Sequence, residues 1–170
     1  MLEAMGALIA VNDQAHVLDA LLLLRRGIHQ HRSQLNHCVG ELLAVVTACL
    51  GSYDNAVAFS AVAAAEELVK VFQDELLQHM TAQGISNASL LLRLLVLCSG
   101  NTSAQAPTRP GQLRSVAEKA MHTIATTLHQ PSVVKLLEPL ASGHVSAVVV
   151  SKEMKAMASS VLLIATYRLS

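Results

Sequence analysis

Apolar residues recur at helical spacing along almost the whole chain, and this periodicity constrains the fold more than any other feature. After Asp13 an apolar residue returns every three or four positions, as on one face of an α-helix, at Val17, Leu21, Leu24 and Ile28. Only four prolines occur, and two of them share one polar stretch, so proline rarely interrupts the pattern. The sequence therefore predicts an all-α protein.

Residues that begin or end helices divide this pattern into segments. The predicted helical stretches are 13–28, 33–50, 54–72, 74–80, 90–97, 112–128, 131–140 and 145–169. Ser33 is expected to cap the second stretch, and Asp54 or Asn55 the third, because short polar side chains accept hydrogen bonds from the N–H groups at a helix start. Residues 145–150 (VSAVVV) also have strand propensity, but the Ala-rich continuation favours a helix.

The helices repeat along the chain. A shift of 44 residues aligns the apolar positions of the first helix with those of the third helix. A further shift of 56 residues aligns the apolar positions of the third helix with those of the helix after residue 111. The aligned positions are Val17, Ala20, Leu21, Leu24 and Ile28; Ala61, Ala64, Ala65, Leu68 and Phe72; and Ala117, Ala120, Met121, Ile124 and Leu128. A period near 40–47 residues with two helices per unit is typical of HEAT and armadillo repeats. The alternative is that amphipathic Ala/Leu helices align in this way without being repeats.

The segment 99–111 (SGNTSAQAPTRPG) is polar, contains two prolines and two glycines, and is predicted to be a loop or an insertion. Its size accounts for the longer second interval. The 170 residues suit one domain, 1–170. The predicted architecture is a stack of antiparallel helix pairs, a HEAT/armadillo-like α-solenoid.

Composition excludes several classes of function. Twelve basic residues balance twelve acidic ones, which leaves no electrostatic case for binding nucleic acid or an anionic membrane. The apolar runs are shorter than the roughly 20 residues that a membrane-spanning helix needs. Residues 1–11 have no basic region before their apolar part, and they are not expected to be a signal peptide. Three scattered cysteines, with Cys49 and Cys98 in apolar helical runs, fit a reducing, cytosolic compartment.

Two clusters invite a chemical interpretation, but neither has the pattern of a catalytic or metal site. His29, His31, His37 and Cys38 lie within ten residues, yet their spacing matches no common zinc pattern, and Arg32 lies among them. Glu66 and Glu67 lie three or four positions before Lys70, which is ordinary ion pairing on a helix surface. The sequence predicts no enzyme, no cofactor and no metal site.

Several segments resemble TOG domains, the HEAT-repeat tubulin-binding modules of the CLASP and crescerin families. Residues 13–24 (DQAHVLDALLLL), 35–48 and the turn 51–57 (GSYDNAV) are similar to the opening of such a domain. Residues 112–121 (QLRSVAEKAM) resemble the recurrent turn within a repeat and the helix after it, and residues 129–143 (HQPSVVKLLEPLASG) resemble the short second helix of the same unit.

The resemblance implies binding of αβ-tubulin along one edge, formed by the turns within the helix pairs. The residues it places on that edge are Gln14, Tyr53, Asp54, Arg109, Arg114 and Lys119. TOG domains typically have a tryptophan near Gln14, which this chain lacks, and a basic residue near Asp54, which is acidic here. Since tubulin has an acidic surface, this exchange reverses the local electrostatics. Arg25, Arg26 and Arg32, far off in sequence, are further candidates for a basic patch.

A second resemblance is to the helical C-terminal domain of the katanin regulatory subunit, through residues 10–19 (AVNDQAHVLD) and the turn near Tyr53. Both resemblances imply a cytoplasmic protein of the microtubule cytoskeleton, in a cilium or at a centrosome, whose partner is αβ-tubulin or another microtubule-associated protein. The alternative function is a HEAT-type scaffold that binds another protein, a helix or an adaptor, without binding tubulin.

Overall fold

The computed structural model describes residues 6–7, 9–10, 13–86, 89–99, 111–145 and 148–168. All regular secondary structure within these ranges is helical, which confirms the all-α prediction. The longer helices are α1 (Gln14–Gln30), α2 (Val39–Leu50), α3 (Asn55–Val71), α4 (Gln73–Gln83), α5 (Leu90–Ser99), α6 (Gly111–Thr127), α7 (Gln130–Ser142) and α8 (Lys152–Tyr167). A four-residue helix, Arg32–Leu35, and a 3₁₀ turn, Asn36–Cys38, connect α1 to α2. Solenoid stacking stays a prediction.

The helix starts follow the capping rules in some places and depart from the sequence prediction in two. Asp54 caps α3, because its carboxylate accepts hydrogen bonds from Ala56 N at 2.7 Å and Val57 N at 3.1 Å. The prediction that Ser33 caps the second helix is wrong. Ser33 lies inside the short helix, a tighter 3₁₀ turn follows it, and α2 begins only at Val39.

The prediction that the last helix begins at residue 145 is also wrong. Ser151 caps α8, since its hydroxyl accepts a hydrogen bond from Met154 N at 3.2 Å. The described residues just before it, 148–150, are three β-branched valines outside any helix, and β-branched side chains disfavour helical backbone. Of the predicted loop 99–111, the two end residues belong to α5 and α6, and residues 100–110 lie outside the described residues.

The helices that carry the sequence repeat lie side by side, because α1 packs against α3 and α3 packs against α6. The aligned apolar positions are buried, with Ala20 as the partly buried exception. Small residues occupy the middle of the set on α3, where Ala61, Ala64 and Ala65 are at most 1% exposed. Alanine lets helix axes approach closely, so the sequence pattern explains why α3 can pack between two neighbours.

The remaining helices pack against this layer and against one another. Helix α2 packs against α3, α5 packs against α6, and α7 packs against α8. Helix α8 also packs against α5 and α6, with Met154, Ala158, Val161 and Ala165 buried. It leaves Leu163 69% exposed. Within the described part of the chain, no helix combines the length and the apolar character needed to cross a membrane.

Candidate functional site

Three residues of the predicted edge come together where α1 and α3 begin. Ser52 Oγ donates a hydrogen bond to Gln14 Oε1 at 3.2 Å and accepts one from Asp54 N at 3.1 Å. Ser52 therefore joins the first residue of α1 to the capping residue of α3. We call the surface formed by Asp13, Gln14, Ser52, Tyr53 and Asp54 the α1/α3 edge.

Tyr53 is the most exposed large side chain of this edge, at 84%. It borders a cavity of about 190 Å³ between the start of α1 and the α2–α3 turn. The lining residues are Ile9, Gln14, Val17, Ala48, Cys49, Gly51, Ser52, Tyr53 and Val57. An exposed aromatic ring on a turn fixed by hydrogen bonds on both sides is suited to contact another molecule.

The α1/α3 edge carries negative charge in the part that the structure describes. Asp13 caps α1 as Asp54 caps α3, and the Asp13 carboxylate lies 2.7 Å from His16 Nδ1. The hydrogen bond from the His16 side chain lowers the pKa of Asp13, and the same contact raises the pKa of His16. Both aspartates accept hydrogen bonds from N–H groups at helix starts, where the helix dipole favours a negative charge. Their charges thus stabilise the helices.

Arg114 lies in the first turns of α6 and is paired within its own helix. Its Nε donates a hydrogen bond to Glu118 Oε1 at 2.8 Å, and this hydrogen bond raises the pKa of the guanidinium. The pair is exposed and follows ordinary i,i+4 spacing. Arg109, the other predicted arginine, lies outside the described residues.

Lys119 points to the second half of α3. Its Nζ lies 3.3 Å from Glu66 Oε1, and Glu66 also accepts hydrogen bonds from Lys70 at 2.9 Å and from Thr123 Oγ1 at 3.4 Å. Glu66 follows Asp54 by twelve residues, a distance of about 18 Å along the helix. The structure therefore brings Gln14, Tyr53 and Asp54 together and holds Lys119 away from them.

A second contact fixes the direction of α1 relative to α3. His29 Nε2, near the end of α1, lies 2.5 Å from Glu67 Oε2 in the second half of α3. Gln14 and Ser52 meet at the starts of the same two helices. The helices therefore run in the same direction. Glu67 and Glu66 together link α3 to both neighbours in the layer.

Glu66 is the more tightly held of these two carboxylates, with a side chain only 12% exposed. Burial raises the pKa of Glu66, but the hydrogen bonds and positive charges of Lys70 and Lys119 outweigh it, so the pKa lies below its ordinary value. Because the folded state favours the ionised carboxylate, this group contributes stability above its unfolded pKa. That contribution is lost as the pH falls through the folded value.

Glu66→Gln is expected to lower the free energy of unfolding by about 1 kcal/mol at neutral pH and low salt, since it removes ion pairs with two partly exposed lysines. Urea unfolding of both proteins should give this difference at about pH 7 and a smaller one at about pH 3. Glu118→Gln is the matched control, because it breaks an exposed pair within one helix and should cost below about 0.5 kcal/mol. Equal losses in the two variants would contradict the linking role of Glu66.

Two of the three cysteines, Cys49 and Cys98, are not placed for nucleophilic chemistry. Cys49 and Cys98 are 2% and 1% exposed, and burial raises the pKa of these thiols to about 11 and about 12. Cys38 is partly buried. At pH 8 about one Cys49 thiol in a thousand is ionised, and only the thiolate is a good nucleophile.

A thiol reagent at about pH 8 is therefore expected to modify Cys38 in the native protein and leave Cys49 and Cys98 unmodified. Denaturation should make all three cysteines reactive. Counting labels by mass spectrometry before and after adding denaturant measures this directly. Fast native labelling at Cys49 or Cys98 would show that their helices open readily.

The histidine-rich stretch does not assemble a metal site in the described part of the chain. His29 contacts Glu67 on α3, and His31 precedes the short connecting helix. Among the described residues, no group of three or more His, Cys, Asp or Glu side chains is placed to hold a metal ion.

Sequence reasoning missed two residues that organise this surface. The sequence places Ser52 only within the turn 51–57, although its side chain joins Gln14 to Asp54. Glu66 was interpreted as a partner of Lys70 alone. The repeat alignment contained a usable signal for it, because the 56-residue shift lays Ala63 on Lys119 and Glu67 on Thr123, on either side of Glu66.

No protein-family model, no curated protein and no solved structure matches this chain.

Proposed function

We propose that the chain is a non-enzymatic helical interaction module that binds another protein through the α1/α3 edge. The observation that carries this proposal is Tyr53, which is 84% exposed beside a cavity. Hydrogen bonds of Ser52 and Asp54 hold the turn on either side of it. A rigid aromatic side chain loses little conformational entropy on binding, and tyrosine is enriched among the residues that dominate protein–protein affinity.

The resemblance to TOG domains supports αβ-tubulin, or another microtubule-associated protein, as one class of partner. The side-by-side arrangement of α1, α3 and α6 also supports it, because a repeated layer presents the starts of successive helices together. This class of partner goes with a cytoplasmic, cytoskeletal location. Gln14, Tyr53 and Asp54 would form the contact, with Arg109 and Arg114 supplying positive charge.

The charges of the edge support the second class of partner, a protein other than tubulin bound by a HEAT-type scaffold. Asp13 and Asp54 give the described part of the edge a negative charge. Arg114 is paired with Glu118, and Lys119 is paired with Glu66. An acidic surface would meet repulsion from the aspartates and little attraction from the paired cations. The geometry therefore favours a partner whose contact surface is neutral or basic.

Co-elution with soluble αβ-tubulin, by size-exclusion chromatography with light scattering at low and moderate salt, decides between these classes. A stoichiometric complex that weakens with salt and is lost in Arg114→Glu would support tubulin binding. Lys135→Glu is the matched control, because Lys135 is an exposed cation on α7, away from the α1/α3 edge. Separate elution at both salt concentrations would exclude tubulin as the partner and leave the scaffold as the proposed function.

A further inference from the structure

A groove lies along the second half of α1, beside α3. Its walls are formed by Leu22, Arg25, Arg26 and His29 of α1 and by Glu67 of α3, and its volume is about 390 Å³. We call it the α1 groove. Leu22, the lining residue nearest the α1/α3 edge, follows Gln14 by eight residues, about 12 Å along the helix, so the groove is separate from that edge.

The apolar part of this surface is unusual for an exposed helix face. Leu22 is 43% exposed, and Leu23 beside it is 60% exposed. Both lie among polar and charged neighbours on the outer side of a helix whose other face is fully buried. Adjacent exposed leucines beside a groove are typical of a surface that another molecule covers.

The charged part of the surface is basic, although the whole chain is neutral. No acidic residue occurs between Asp19 and Glu41, whereas Arg25, Arg26 and Arg32 all fall in that interval. Among the described residues that line the groove, Glu67 is the one carboxylate, and exposed Asp19 lies one turn before the leucines. Glu67 already contacts His29 at 2.5 Å and Lys70 at 3.8 Å, so neighbouring groups offset its charge.

The side chain of Arg25, which lines the groove, has an unsatisfied hydrogen-bond donor within the described part of the chain. Its Nε is buried and has no hydrogen-bond partner among the described residues. A buried donor without an acceptor costs free energy in the unbound chain. Arg26, the next residue, is exposed and forms no ion pair within the described ranges. Two guanidinium groups are therefore available beside two exposed leucines.

We propose that the α1 groove binds an acidic amphipathic helix of a partner protein. The leucines contact the apolar stripe of that helix, and Arg25 and Arg26 pair with carboxylates that flank the stripe. The groove extends from Leu22 to His29, about 10 Å along α1, which offers room for about two turns of a docked helix. Nucleic acid fits less well, because phosphates would gain nothing from the exposed leucines and would meet Glu67 in the groove.

A synthetic peptide tests this proposal. The probe has about 17 residues, with leucine at every third or fourth position and glutamate at most others, and its counterpart has lysine in place of glutamate. Fluorescence anisotropy with the full chain at low salt measures both affinities. The acidic peptide is expected to bind at least about tenfold more tightly than the basic one. Arg26→Glu and Leu23→Ser should each weaken it by about tenfold.

Two control variants keep the test specific. Lys135→Glu changes an exposed cation on α7, and Leu163→Ser changes an exposed leucine on α8; neither should alter the affinity. Equal affinity for both peptides, no binding of the acidic peptide, or an unchanged affinity in Leu23→Ser would overturn the proposal. Tighter, Arg26-dependent binding of a duplex oligonucleotide or of anionic vesicles would also overturn it.

Discussion

Phe72→Ala is expected to lower the free energy of unfolding by about 3–5 kcal/mol, because it removes a large side chain that has no exposed surface. Phe72 caps the end of α3, donates its N–H to Leu68 O at 2.9 Å, and accepts a hydrogen bond from Leu76 N at 2.7 Å. Its ring thus fills the core at the junction of α3 and α4. Urea unfolding should show the loss, and the thermal midpoint should fall by roughly 10 °C.

Phe59→Ala is the matched control, because the other phenylalanine of the chain lies on the same helix and is 38% exposed. It should cost about 1 kcal/mol. Phe72→Leu keeps most of the buried volume and provides a measurable intermediate if Phe72→Ala fails to fold. Losses of similar size at the two phenylalanines would contradict the burial of Phe72.

Gly84→Ala is expected to destabilise the protein by about 1–3 kcal/mol, entirely through the backbone. Gly84 ends α4 with φ 63° and ψ −158°, a combination that only glycine adopts without strain. A Cβ at this position would meet no atom within 4 Å, so no steric contact adds to the cost. Urea unfolding of the variant measures this strain.

The same substitution at a second glycine, Gly27→Ala, is expected to stabilise the protein. Gly27 lies within α1, and a Cβ there would also meet nothing within 4 Å. Alanine should raise the free energy of unfolding by about 0.5–1 kcal/mol, because it reduces the backbone entropy lost on folding. A stabilised Gly84→Ala protein would refute the backbone conformation at the end of α4.

The sequence predicted the existence of the helices well because their apolar faces are long and regular. The cap of α3 was predicted at Asp54 or Asn55, and Asp54 forms it through hydrogen bonds with neighbours two and three residues away. The start of α8 was placed wrongly because residues 145–150 are apolar enough to continue a helical pattern. The local signal, Ser151 at the cap position, competed with that run. The helix boundaries therefore depend on capping hydrogen bonds between near neighbours, which the apolar periodicity does not reveal.

The candidate site was predictable only in part, because its contacts join distant residues. Ser52 and Gln14 are 38 positions apart, and Thr123 and Glu66 are 57 apart. The repeat alignment indicated which helices are neighbours but not which side chains meet. Lys119 pairs with Glu66 of α3, and Arg114 pairs with Glu118, so the charges of these two predicted cations are offset.

The charges along α1 have a consequence for function. If the α1/α3 edge and the α1 groove both bind proteins, the chain offers one surface with negative charge at the start of α1 and one with positive charge near its end. The groove begins about 12 Å along the helix from Gln14. The proposed scaffold would then hold two segments of opposite charge close together.

The central claim, that the α1/α3 edge binds a protein through Tyr53, is tested most directly with the two tyrosines of the chain. Tyr53 and Tyr167 are 84% and 83% exposed, so Tyr53→Ala and Tyr167→Ala remove similar areas at different places. Immobilised wild-type and variant chains would be incubated with cell extract, and the captured proteins quantified by mass spectrometry. At least one protein should fall by about tenfold with Tyr53→Ala and stay unchanged with Tyr167→Ala. If no captured protein depends on Tyr53, the edge is not a binding site and the proposed function is wrong.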